Sequence, residues 1–199
     1  MKRIGIGLSD FKELIEEDFY YFDKTKFIDE IVKDGAKVKL FTRPRRFGKT
    51  LNLSMLKYFF DVKNAEENRK LFDNLYISKS EYMENQGQNP VILISLRNAE
   101  AENWEDSFFN IKNLVKSLYK QFQYIKEKLD EFDLEDFLSI VKDKDNADWE
   151  NSLKNLSRYL YEYYGKKVII LIDEYDAPII NAFDKGYYNE AINFFQTFY

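Results

Sequence analysis

Lys49 and Thr50 close a run, RPRRFGKT, that ends as a phosphate-gripping loop ends. The pattern GxxxxGK(S/T) works when it follows a strand and opens a helix. Backbone N–H groups at the helix N-terminus then converge on a β-phosphate. The lysine reaches the β- and γ-phosphate oxygens, and the hydroxyl ligates Mg²⁺. Lys49 and Thr50 supply those two groups here, with Phe47 and Gly48 as further backbone donors. Arg43 stands where the pattern has its first glycine, and Pro44 has no N–H to give. Pro44 stiffens the loop instead, while Arg45 and Arg46 add positive charge at its mouth. On this run alone, a nucleotide site and a basic turn that binds nucleic acid both fit.

A second run, VIILIDEYD, weighs on that choice. Five aliphatics end in Asp173 and Glu174, the arrangement known as Walker B. A strand of this kind delivers its Asp to the magnesium shell, usually through water, and sets its Glu beside the attacking water. The chain has no His and no Cys, so a general base must be a carboxylate, Lys or Tyr. Glu174 is the candidate base, Lys49 the charge on the transferred phosphate, and Thr50 and Asp173 the Mg²⁺ partners. A buried strand can also end in acids merely to cap the next helix, but both motifs in this order favour ATP and Mg²⁺ over a bare basic patch. Tyr175 and Asp176 either orient Glu174 or lie on the surface. The Gly5–Gly7 repeat is too short, and lacks the preceding strand, for a dinucleotide fingerprint.

These residues need elements to position them. Residues 38–41 are expected as the strand before the loop, and residues 50–60 as the helix after it. Asp10 is an expected cap, with Glu13 its capping-box partner, and Asp23 a second cap for a helix closed by Gly35. PVILISL predicts a buried strand. Apolar spacing predicts helices over 104–128, 133–141, 149–164 and from 186 onward. Apolar strands alternating with amphipathic helices predict an α/β fold, a parallel sheet covered on both faces. Ligands of such sheets bind beyond the carboxyl ends of the strands.

Composition narrows the function classes. Without Cys there are no disulfides, thiolate metal sites or cysteine nucleophiles. A net charge of −5 argues against nucleic acid or anionic membrane as the general partner, so the arginines need a local reason. No apolar run reaches the length of a membrane span, and the N-terminal residues do not read as a secretory signal. A cytoplasmic protein is the expectation.

Taken together, DFKELIEEDFYYFDKTKFI, LFTRPRRFGKTLNLSMLKYFF, PVILISL and VIILIDEYDAPI resemble the AAA-ATPase-like family of bacterial ATP-binding proteins. That family is related to archaeal-type and STAND P-loop ATPases. The likeness covers essentially the whole chain, and an arginine at the Arg43 position is a feature of the family. The resemblance implies a P-loop NTPase of the additional-strand (ASCE) type, a three-layer α/β/α domain over residues 1–199 with a helical segment at 1–36. It implies ATP binding with Mg-dependent hydrolysis, and places Phe22–Thr25 near the adenine. Similar members continue into a sensor strand and often a PD-(D/E)XK-nuclease-like domain, so a truncated fragment with impaired turnover is expected. A nucleotide-dependent switch without turnover, and a nucleic-acid module using Arg43, Arg45 and Arg46, stay open as alternatives.

Overall fold

The computed structural model describes residues 3–42 and 47–199. The chain divides into two compact units, Met1–Val91 and Ile92–Tyr199.

The first unit is helical. Its helices are α1 (Phe11–Glu16), α2 (Lys26–Lys33), α3 (Lys49–Phe60) and α4 (Ala65–Arg69). Asp10 caps α1 as expected: its Oδ1 accepts from the Glu13 amide at 3.0 Å. Its other oxygen accepts from Ser54 Oγ and the Tyr58 hydroxyl, which ties the start of α1 to α3. An aromatic cluster fills the space between them. Phe11 is fully buried, stacks on Phe72 at 5.2 Å and meets the edge of Tyr21 at 5.4 Å. The polar stretch after α3 is compact, with 3₁₀ turns at Lys70–Phe72, Tyr76–Lys79 and Glu81–Asn85 that bury Phe72, Ile77 and Met83.

Two expectations for this unit need correction. Thr25, not Asp23, occupies the N-cap of α2, and the helix ends at Asp34 in an extended conformation rather than at Gly35. Asp23 is spent on the turn itself, accepting from both the amide and the hydroxyl of Thr25. Residues 38–41 form no strand. Val38 is 87% exposed and Leu40 64%, and Lys39 turns back to pair with Asp34. A strand needs a neighbour for its backbone, and among the described residues none pairs with this segment. Phe41 meets the ring of Phe27 edge-on at 4.9 Å.

The second unit carries the sheet. β1 (Val91–Ser95), whose first residue belongs to the other unit, pairs with β2 (Ile169–Asp173) in a small parallel sheet. Parallel strands require a long crossover. Here it runs through α5 (Trp104–Gln121), α6 (Glu131–Val141) and α7 (Ser152–Tyr164); α8 (Ala177–Lys185) and α9 (Tyr188–Phe198) follow β2. The architecture is therefore α/β with mostly helices. Ile92 and Ile94 of β1, Ile111 and Val115 of α5, Leu156 of α7 and Phe195 of α9 share one core. The expected helix over 104–128 is α-helical only to Gln121; a 3₁₀ segment, Gln123–Lys128, completes it and buries Ile125. The crossover ends cleanly because Gly165 takes a left-handed conformation after α7. β2 is less covered than its sequence predicts: Ile170 is 39% exposed, as suits a strand paired on one side among the described residues.

Candidate functional site

In the first unit the loop delivers its chain to α3 through Gly48. This residue is the N-cap of α3, with φ 75° and ψ 26°. A side chain there would be strained in any rotamer, so the glycine is required by the turn and not by space. From this pivot Lys49 and Thr50 enter the first turn of a twelve-residue helix whose first turn holds no acid. Unsatisfied N–H groups and the helix dipole make that end attractive to an anion. Phe47, beside the pivot, is 61% exposed. The expected ligands Arg43, Pro44, Arg45 and Arg46 lie outside the described residues.

One residue near this pivot belongs to the Phe22–Thr25 segment expected near the adenine, without a role of its own assigned from the sequence. Lys24 Nζ lies 3.4 Å from where a Cβ on Gly48 would stand. The turn that carries Lys24 is held from several sides. The Lys24 amide donates to the Tyr21 hydroxyl at 3.2 Å, and that hydroxyl donates to Met55 Sδ of α3 at 3.4 Å. Burial pushes the Tyr21 phenol up to about 12, so it stays a neutral hydroxyl able to accept and donate at once. Next along the chain, Thr25 is fully buried; its Oγ1 accepts from the Ile77 amide at 3.1 Å and donates to Asp23 at 2.7 Å. Asp23 Oδ2 accepts from the Tyr76 amide at 2.7 Å. The FDKT sequence thus builds a fixed turn. Only the juxtaposition with Gly48, far along the chain, marks Lys24.

The acids belong to the second unit. Asp173 ends β2 and is 4% exposed, and its carbonyl accepts from the Leu96 amide at 3.0 Å, extending the sheet past β1. Glu174 follows in the left-handed region, φ 53°, which costs a residue with a Cβ about 1–2 kcal/mol. Arg97, in the 3₁₀ turn after β1, donates to Glu174 Oε1 at 3.3 Å. Neither side chain of the two remaining residues of the run has a bond to Glu174 among the described residues. Asp176 is the N-cap position of α8 without a side-chain cap bond, and the Tyr175 carbonyl accepts from the Tyr199 hydroxyl at 2.7 Å. Sequence periodicity does not foresee α8, because its Ile180 and Phe183 point outward and only Pro178 and Ala182 are buried.

The residues around Gly48 suit a magnesium nucleotide in chemical kind. A left-handed glycine opening a helix, a lysine in its first turn and a second ammonium alongside form a cationic end without a carboxylate of its own. Among the described residues no group of three or more His, Cys, Asp or Glu side chains is gathered. Mg²⁺ carried by phosphates needs only one or two protein ligands and keeps its waters.

A family model described as a predicted AAA-ATPase matches residues 5–199. A curated relative from Azotobacter chroococcum mcd 1, "Uncharacterized protein in vnfD 5'region", is 29% identical over 183 residues. The match takes in 90% of this chain and 30% of the relative, so the chain spans under a third of that protein's length. No solved structure matches. Among the described residues no helix is long and apolar enough to cross a membrane.

Proposed function

Since the chain belongs to the predicted AAA-ATPase family, we propose that it is part of a P-loop NTPase of the ASCE type that binds Mg-ATP and, in its full context, hydrolyses it. The observation that carries this reading is the Gly48 pivot, which opens α3 with Lys49 and Thr50 in the first turn. In the proposal Lys49 holds the β- and γ-phosphates and Thr50 gives its hydroxyl to Mg²⁺. Asp173 would serve as a further Mg²⁺ partner, and Glu174 would accept the proton of the attacking water. Mg²⁺ supplies charge neutralisation of the phosphates when bound.

Calorimetry with Mg-ATP on the wild type and on Lys49→Ala tests the reading. Loss of one charge-assisted contact is expected to weaken binding about ten- to a hundredfold. Glu174→Gln is expected to keep the affinity and abolish phosphate release. A wild type that binds no Mg-ATP at millimolar concentration would overturn the proposal.

A further inference from the structure

We propose that Lys24 is a second ligand for the nucleotide polyphosphate, acting beside Lys49 from outside the loop. The inference rests on the nucleotide-binding reading above and adds a residue that the loop motif does not contain.

Its ammonium stands next to Gly48, the N-cap of α3. That is the positive end of a helix, the least favourable place on it for a cation. Lys49 brings another positive charge into the same turn. Among the described residues Lys24 Nζ has neither an ion pair nor a hydrogen bond to offset this. A lysine kept for stability would pair with a carboxylate or reach into water away from the helix end.

Flexibility does not explain the placement either. The Lys24 amide is bonded to Tyr21, and the next residue is fully buried and bonded to Asp23 and Ile77. The turn holds the root of the side chain in place while its charged tip stays unpaired among the described residues. An anion with several negative oxygens supplies the partner that neither ammonium group finds among them. A nucleoside triphosphate does so through its phosphates, which moves the expected role of Phe22–Thr25 from the adenine to the phosphate chain.

The test is calorimetry with Mg-ATP and with AMP on wild type, Lys24→Met, Lys24→Arg and Lys49→Ala. Melting temperatures serve as the folding control. Lys24→Met is expected to weaken Mg-ATP binding about tenfold, with a smaller effect on AMP, and Lys24→Arg is expected to recover most of the loss. Lys24→Gln, which keeps the length and a polar end, replaces the Met variant should that one fail to fold. Wild-type binding that Lys49→Ala weakens but Lys24→Met and Lys24→Gln leave unchanged would overturn the role of Lys24 alone. An equal loss for AMP and Mg-ATP would overturn it as well, in favour of the base or sugar. No wild-type binding at all would overturn both readings.

Discussion

The Arg97 guanidinium donates to Glu174 Oε1 at 3.3 Å, so the acid after β2 is engaged from the end of β1. The Arg97 side chain is 65% exposed and that of Glu174 26%. A pair so open to water is worth up to ~1 kcal/mol. It therefore biases the carboxylate without locking it. An oxygen engaged by Arg97 is held away from other partners, so Arg97→Ala is expected to free the carboxylate for the attacking water and raise basal ATP turnover, by no more than about fivefold. Mg-ATP affinity should not move. Phosphate release at saturating Mg-ATP measures this, and a fall to the level of Glu174→Gln would instead make Arg97 a residue that positions the acid.

Glu174 also stores strain in its backbone. Alanine at this position keeps the Cβ and the strain, whereas glycine relieves it. Both lose the Arg97 pair and the carboxylate. Glu174→Gly is therefore expected to be more stable than Glu174→Ala by about 1 kcal/mol, with turnover absent in both. Urea unfolding of the two variants decides the matter; equal midpoints would mean that the left-handed turn costs nothing.

The strain shows why part of the site was legible in the sequence and part was not. The loop end and the acid pair were readable because their chemistry sits within a few residues: Gly48 to Thr50, and Asp173 with Glu174. Asp10 could be read as a cap for the same local reason, its bond spanning only to Glu13. The apolar runs of β1 and β2 predicted strands correctly because each finds the other as its backbone partner, although β2 is less buried than β1. Residues 38–41 misled because Val38 and Leu40 alternate with Lys37 and Lys39, and a pattern of period two does not provide a neighbouring strand. Arg97, and the particular part that Lys24 plays within Phe22–Thr25, were not legible, for the opposite reason. Each acts through a residue distant in sequence, Gly48 and Glu174.

Acid should weaken the second unit through its ion pairs. Asp133 accepts from both Arg158 terminal nitrogens, at 2.6 and 2.7 Å, and these bonds hold its carboxyl below the usual range. Lys116 and Lys112 do the same for Asp143. A carboxyl whose folded pKa is depressed gives its stability above the unfolded value, about 3.9, and loses it as pH falls through the folded one. Asp133→Asn is expected to cost up to ~1 kcal/mol at pH 7. That difference from wild type should shrink once the pH drops below about 4. Thermal melts of both proteins across this range measure it; a gap that persists at low pH would mean that the pair acts through packing and not through charge.

Thr25→Val tests whether the turn that carries Lys24 is as rigid as its bonds imply. Valine matches threonine in shape but neither accepts from the Ile77 amide nor donates to Asp23. Ile77 is fully buried, so its N–H would lose its partner where water cannot replace it. An orphaned buried donor costs about 1–3 kcal/mol. Asp23 would keep the Thr25 and Tyr76 amides, so the turn should loosen without unfolding. Two measurements are expected to move together. Hydrogen exchange at the Ile77 amide should accelerate by about ten- to a hundredfold, in line with that cost. Mg-ATP binding should weaken less than in Lys24→Met, because the ammonium is still present but held less well. Faster exchange with unchanged affinity would separate the turn from the phosphates and leave Thr25 a purely structural residue.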